Sequence, residues 1–131
     1  MEDDALDTLH MPDEWHATSK ELVANAGVIL LRGAKNTGKS TFARLLLNAL
    51  LMSHPLVGFL DLDLGQPEFG PPGLVALHMF DAAQGTSIAP GWCGARLPVR
   101  AHFVGDVSPR DDPARYVAAA ADLASCFVAE W

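Results

Sequence analysis

The chain has 131 residues, half of them hydrophobic, which corresponds to one domain, or part of one, with enough apolar residues for a buried core. It contains no uninterrupted apolar stretch of roughly 18 residues, so no membrane-spanning helix is expected, and the acidic residues after Met1 are the opposite of a signal-peptide start. The net charge of −7 argues against a long basic surface for nucleic acid.

The predicted elements alternate between helices and short apolar strands. Residues 1–27 are acidic, and we expect this N-terminal segment to be disordered over residues 1–11 and helical over residues 12–24. The main domain comprises residues 28–131. Its predicted elements begin with a strand at 28–31, a helix at 39–52, a strand at 57–63 and a loop at 67–73. They continue with a strand at 74–80, an excursion at 81–97, a strand at 99–104 and a helix that begins at Pro113 with Asp112 as its cap. This alternation predicts an α/β fold, a parallel sheet flanked by helices, with the ligand at the carboxyl ends of the strands.

Charge is unevenly distributed along the chain. Six of the sixteen acids lie in the first fourteen residues, and the remainder carries ten acids against nine bases. Within that remainder, an acid-free basic cluster consists of Arg32, Lys35, Lys39 and Arg44. Local charge there favours a phosphate ligand. Cys93 and Cys126 lack metal-ligand spacing and are expected to be buried small hydrophobes in a reducing compartment.

A complete phosphate-binding loop, or P-loop, occupies residues 33–40. Its residues are Gly33, Ala34, Lys35, Asn36, Thr37, Gly38, Lys39 and Ser40, followed by Thr41 at the start of a predicted helix. The glycines allow backbone N–H groups to surround the phosphates of a nucleotide, Lys39 reaches the β- and γ-phosphates, and the Ser40 hydroxyl is a Mg²⁺ ligand. Because a predicted strand precedes the loop and a helix follows it, the motif has the context it requires.

A second group of polar residues ends the strand that follows the P-loop helix. Asp61, Asp63 and Gln66 stand where a Walker-B element belongs, about twenty residues after the P-loop. A carboxylate at this place holds Mg²⁺ or its waters, or accepts the proton of an attacking hydroxyl, and a glutamine orients the nucleophile. One aspartate at a strand end is usually a turn-former, but two alternate carboxylates on an apolar strand favour a cation site.

With these residues in place, the chain resembles the eukaryotic polynucleotide 5′-hydroxyl kinases of RNA processing, especially the nucleolar branch that acts in pre-ribosomal RNA maturation. Three stretches carry the resemblance: residues 33–42, residues 60–77 with the sequence LDLDLGQPEFGPPG at their start, and residues 98–113 with Tyr116. They cover roughly residues 28 to 125 in the family's order. Many nucleotidases share the P-loop, whereas the block around Gln66 is specific to this family.

The resemblance implies transfer of the γ-phosphate of ATP to the 5′-hydroxyl of an RNA (or DNA) end, with ATP and Mg²⁺ as cofactors. It implies that Lys39 stabilises the β- and γ-phosphates, that Ser40 binds Mg²⁺, and that Asp63 activates the 5′-hydroxyl as general base. Asp61 and Gln66 support the metal and its waters, and Lys35 adds charge stabilisation. A nuclease complex of RNA processing is the implied protein partner, and the nucleus and nucleolus are the implied location.

The chain also differs from the family it resembles. Members of this family carry an N-terminal domain, a lid with arginines and a C-terminal domain. None of these is visible in the 131 residues, so the chain is expected to be an incomplete kinase domain. The alternative is a catalytically incomplete ATP-binding fragment, or a scaffold in an RNA-processing complex. A GTPase is disfavoured because the chain has neither a D-x-x-G switch nor an N-K-x-D motif, and a small-metabolite kinase lacks the proline-rich block.

Three further residues have two open interpretations each. Arg100 and His102 alternate on a predicted strand and either approach the RNA end or line a partly exposed strand. Trp92 either stacks on a base or packs in the interior.

Overall fold

The computed structural model describes residues 10–25, 27–84 and 96–131. Its elements are α1 (Asp13–Ala24), α2 (Lys39–Leu51), β1 (Leu56–Asp61), β2 (Leu74–Asp81), a 3₁₀ turn (Ala82–Gln84), β3 (Arg100–Phe103) and α3 (Pro113–Glu130). The predicted disorder of residues 1–9, most of the predicted excursion, and the interpretations of Trp92 and Cys93 lie outside the described residues. No described helix is both long enough and apolar enough to cross a membrane.

All three predicted helices are confirmed, and the local sequence explains where they begin. α1 follows Pro12 and carries Asp13 and Glu14 in its first turn, where acids face the positive end of the helix dipole. α3 begins at Pro113, and the Asp112 side chain caps it by accepting the Arg115 N–H at 3.1 Å.

The sheet corrects the predicted topology. Its strands are ordered β1-β2-β3 and both pairs are antiparallel, with Asp61 opposite Ala76 and Leu74 opposite Phe103. The prediction that these strands run parallel is therefore wrong. A parallel pair needs a crossover connection, usually a helix, whereas residues 62–73 contain no helix and return the chain directly alongside β1.

The predicted strand at 28–31 is also wrong, since residues 27–34 form no strand. Val28 is 98% exposed and Leu30 is 78% exposed, so the run is not the fully buried strand that its apolar composition predicted. A β-strand forms only where a neighbouring strand accepts its backbone hydrogen bonds. None of the three described strands pairs with this segment, and its apolar composition alone does not make it a strand.

β2 lies at the centre of three layers. On one face its Val75 and Leu77 pack with Leu123 of α3, and on the other face Phe80 packs with Leu47 of α2 and with Phe69. The buried residues of α3 share one helical face at the spacing of an amphipathic helix: Ala119, Leu123 and Cys126. α2 and α3 therefore enclose the sheet, and Cys126 is the buried small hydrophobe that was predicted.

Candidate functional site

The P-loop has the backbone conformation that its sequence requires. Asn36 and Gly38 lie in the left-handed region, with φ of 59° and 86°, which asparagine tolerates and glycine adopts freely. The first hydrogen bond of α2 runs from Phe42 N–H to Gly38 O at 2.9 Å. The N–H groups at the start of α2 therefore have no helical acceptor and point out of the helix end, which is the usual basis of anion binding.

Lys39 reaches back over the loop. Its Nζ donates to the Ala34 carbonyl oxygen at 2.5 Å, and the Thr37 hydroxyl donates to the same oxygen at 2.8 Å. Lys35 and Ser40 are exposed at the loop surface. The loop thus holds one ammonium over its own backbone and presents a second ammonium and a hydroxyl to solvent, within reach of a phosphate ligand.

A tryptophan of α1 supports the P-loop. Trp15 of α1 packs edge-on against Phe42, with 5.5 Å between ring centroids. A Cβ atom placed on Gly38 would lie 2.7 Å from Trp15 Cη2. Position 38 therefore requires glycine for two reasons, its positive φ and this close contact. Trp15 holds the P-loop against α2.

Asp61 ends β1 and is 5% exposed. Its Oδ1 accepts the Asp63 N–H at 3.3 Å, and its Oδ2 accepts the Glu68 N–H at 2.6 Å. Burial raises the pKa of Asp61 to about 6, although both hydrogen bonds oppose that shift. The carboxylate therefore shapes the loop that follows it, because each of its oxygens holds a backbone N–H of that loop.

Asp63 lies in this loop and is exposed. Its Oδ1 accepts the N–H groups of Gly65 and Gln66, each at 3.0 Å, so the side chain forms an Asx turn. Its Oδ2 takes no hydrogen bond from the described residues. The Gln66 side chain is exposed at the same turn. One Asp63 oxygen is thus fixed in place, while the other is available to a proton or a cation.

Two side chains from neighbouring helices hold the Asp61–Glu68 loop. The Arg44 Nε of α2 lies 2.6 Å from Glu68 Oε2, and the Tyr116 hydroxyl of α3 donates to the Leu62 carbonyl at 3.0 Å. Burial and then the charges of Asp63 and Asp61 raise the pKa of Tyr116, so it stays a donor. Arg44 follows Lys39 by five residues, and the ion pair therefore connects the P-loop helix to the loop that carries Asp63.

The site residues fit a Mg²⁺-dependent nucleotide site better than an all-protein metal cage. In the three described ranges, no group of three or more His, Cys, Asp and Glu residues comes together to hold a metal ion. Magnesium usually takes one or two carboxylates and completes its shell with waters and phosphate oxygens. The free Asp63 oxygen and the exposed Ser40 hydroxyl are donors of that kind. No hydrogen bond links residues 33–41 directly to residues 61–66 of the described chain.

Arg100 and His102 form ion-pair and hydrogen-bond contacts with α3. Both contact Asp122 of α3, at 3.1 Å from Arg100 Nε and 2.6 Å from His102 Nε2. The hydrogen bond from His102 and the charge of Arg100 hold the pKa of Asp122 below its usual range. The structure therefore favours the interpretation in which these two residues line a strand and tie β3 to α3.

Comparison with known proteins identifies the family. The family model described as "mRNA cleavage and polyadenylation factor CLP1 P-loop" matches residues 33–130. The chain belongs to the CLP1 P-loop family. The match includes the P-loop, the Asp61–Gln66 loop, the sheet and almost all of α3, so the site residues described above lie within the family domain, except for the supporting Trp15.

Several curated proteins resemble the chain within this family. It is 41% identical to polynucleotide 5′-hydroxyl-kinase grc3 of Aspergillus terreus and 42% identical to that of Aspergillus niger, each over 88% of this chain and 16% of the relative. It is 37% identical to polynucleotide 5′-hydroxyl-kinase NOL9 of Arabidopsis thaliana, over 82% of this chain and 30% of the relative. The chain thus spans less than a third of the length of each of these relatives.

Sequence reasoning missed the residues that connect the site. The Arg44–Glu68 pair had a partial signal, because Arg44 belongs to the basic cluster and Glu68 to the family-specific block. Tyr116 was noticed only as part of the resemblance. His78, which is buried behind the loop at 67–71, gave no signal, since a single histidine in an apolar strand is usually a core residue.

Proposed function

We propose that the chain is the nucleotide-binding core of a polynucleotide 5′-hydroxyl kinase that transfers the γ-phosphate of ATP to the 5′-hydroxyl of RNA. The observation that supports this best is the Asp63 carboxylate, which has one oxygen fixed and one available, in a loop tied to the P-loop helix by Arg44 and Glu68. Membership of the CLP1 P-loop family and the names of the relatives agree with this assignment.

In this proposal residues 33–41 bind the ATP phosphates. The Lys39 ammonium leaves the Ala34 carbonyl for the β- and γ-phosphates, and Lys35 compensates charge that develops on the migrating group. Ser40 would hold Mg²⁺, with the Asp61 and Asp63 carboxylates contacting its waters rather than the ion, and the ion would neutralise charge on the ATP phosphates. Trp15 contributes indirectly because it fixes the loop through Gly38.

Asp63 is the proposed general base. Its Oδ2 accepts the proton of the RNA 5′-hydroxyl while the hydroxyl oxygen forms a bond to the γ-phosphorus and the bond to the β-phosphate oxygen breaks. The products are a 5′-phosphorylated RNA and ADP. Gln66, on the same turn, orients the hydroxyl, and Asp61 keeps the turn in place through its two backbone contacts.

The test combines nucleotide binding and phosphoryl transfer in the same preparation. Wild-type chain should bind Mg·ATP and phosphorylate a 5′-hydroxyl RNA, Lys39→Ala should lose both, and Asp63→Asn should keep binding and lose transfer by at least about 10²-fold. Binding without transfer in the wild type would contradict the kinase proposal and favour a scaffold that binds ATP. Absence of Mg·ATP binding would contradict both.

The biological setting is part of the proposal and rests on the family resemblance alone. We propose that the kinase acts in ribosomal RNA processing, in the nucleus and nucleolus, together with a nuclease complex of RNA processing. Imaging of the tagged protein with a nucleolar marker, together with co-purification of a nuclease, tests this setting. Exclusion from the nucleolus would contradict it without affecting the chemistry.

A further inference from the structure

A cavity lies beside the Asp63 loop and takes no part in the chemistry described so far. Its volume is about 650 Å³, within the range of small-ligand sites. One wall is the segment 67–71, the floor is one face of β2, and the other wall is the segment 96–98. The β2 residues that line it alternate along the strand: Leu74, Ala76 and His78.

His78 is the polar group of the cavity floor and is 1% exposed. Neither ring nitrogen has a hydrogen-bond partner among the residues that the structure describes. Burial, followed by the charge of Arg96, lowers the pKa of His78 to about 4, so the ring is neutral at pH 7 and carries one donor and one acceptor. Leaving both unpaired in an apolar cavity is costly, and a ligand with an adjacent acceptor and donor removes that cost.

Arg96 fixes the opposite wall. Its backbone N–H donates to Phe69 O at 2.9 Å, its Nη2 donates to Met79 O at 3.2 Å, and its guanidinium lies 4.1 Å from the Phe80 ring centroid. The wall therefore keeps a cation beside the cavity. The remaining lining is largely apolar and partly proline, which suits the flat face of a ring.

The position of the cavity indicates which ligand would supply this ring. Glu68 lines it, and the same residue donates its N–H to Asp61, the residue that holds Asp63. We propose that this cavity receives the base of the terminal, 5′-hydroxyl-bearing nucleoside of the polynucleotide, with His78 facing the edge of the base and Arg96 near the following phosphate. This inference rests on the proposed function, since it assigns Asp63 to that same hydroxyl.

The test measures affinity without chemistry. RNA with a 5′-hydroxyl and a 3′-fluorophore is titrated against the 131-residue chain, either intact or abasic at its first nucleotide. Wild type should bind the intact RNA roughly tenfold more tightly, since contacts to one base contribute about that factor, and His78→Phe should abolish the difference. His54→Phe is the matched control, because His54 also has a buried nitrogen with no partner in the described ranges but lies outside the cavity.

A second measurement uses only the wild-type chain, in case His78→Phe fails to fold. RNA whose first nucleotide is 4-thiouridine should photocrosslink within residues 67–71 or 96–98. Equal affinity for intact and abasic RNA, a preference that survives His78→Phe, or crosslinks elsewhere would each overturn the inference and leave the proposed kinase standing. Weakened ATP binding with unchanged RNA binding in His78→Phe would assign the cavity to adenine instead. Failure to bind either RNA would contradict the proposed function itself.

Discussion

Arg44 of the P-loop helix and Glu68 of the loop after β1 form an ion pair, with 2.6 Å between Arg44 Nε and Glu68 Oε2. The Glu68 N–H donates to Asp61, and Asp61 in turn accepts the Asp63 N–H. Three successive contacts therefore connect the helix that begins at the P-loop to the proposed base. This connection places the two halves of the site relative to each other, although no hydrogen bond links residues 33–41 directly to residues 61–66 in the described part of the chain.

Breaking this pair from one side should destabilise the fold. The side chains of Arg44 and Glu68 are only 16% and 10% exposed, so Arg44→Met leaves a carboxylate without its cation and next to Asp61. We expect a loss of about 3 kcal/mol in the free energy of unfolding, measured by urea denaturation. Adding Glu68→Gln should recover about 1 to 3 kcal/mol. Strictly additive losses in the double variant would show that the pair does not couple the two elements.

Because of Asp61, the free energy of unfolding should decrease as the pH rises. Because burial raises its pKa from 3.8 to about 6, the folded chain holds a proton in that range that the unfolded chain has lost. Its contribution is fully present below about pH 4 and is lost as the pH rises through about 6. Asp61→Asn cannot ionise, so its stability relative to wild type should rise by about 3 kcal/mol between pH 4 and pH 7.

Urea denaturation of both proteins across that pH range measures the difference. His78 titrates in the opposite sense, since burial lowers its pKa, but it is present in both proteins and cancels. Parallel stability curves for wild type and Asp61→Asn would contradict the account of Asp61 as a buried carboxylate.

The Tyr116 hydroxyl should restrain the loop after β1 more than it stabilises the hydrophobic core. Tyr116→Phe removes its hydrogen bond to Leu62 O and should cost about 1 kcal/mol of stability. The loop between Asp61 and Asp63 should become more open, so amide hydrogen exchange at residues 62–66 should accelerate. Exchange there that stays at the wild-type rate would show that α3 does not restrain the loop.

A glycine in β1 allows a close contact between the sheet and α3. A Cβ atom on Gly58 would lie 2.7 Å from Phe127 Cε2, so Gly58→Ala forces the ring to move and should cost about 1 to 3 kcal/mol. Gly70 is the matched control, since a Cβ atom there meets nothing within 4 Å. The melting temperature should fall for Gly58→Ala and hardly change for Gly70→Ala. Equal shifts would contradict this packing.

Local signals predicted the helices well because each is encoded by adjacent residues. Pro12 with two acids, the glycine before Lys39, and the Asp112–Pro113 pair fix where the three helices begin. The sheet depends instead on pairing between distant segments. No helix is predicted between residues 63 and 99, and a parallel pair of strands usually needs a helix as its crossover connection. The sequence therefore already favoured antiparallel pairing of these strands.

Short motifs predicted the candidate site residues, whose roles stay predictions, but not the contacts that connect those residues. P-loop and Walker-B spacing point to Lys39, Ser40, Asp61 and Asp63 because their chemistry is tied to short motifs. Arg44 meets Glu68 across 24 positions and Tyr116 meets Leu62 across 54. Contacts over such separations are set by how α2 and α3 pack on the sheet, which the sequence pattern does not give.

The most direct measurement is transfer of ³²P from γ-labelled ATP to two RNA oligonucleotides that differ only at the 5′ end. We predict label on the 5′-hydroxyl RNA, none on the 5′-phosphate RNA, and loss of labelling in both Lys39→Ala and Asp63→Asn. Label that enters neither RNA, from a folded chain that binds Mg·ATP, would contradict the central claim. So would labelling that Asp63→Asn leaves intact, because the proton of the hydroxyl would then go elsewhere.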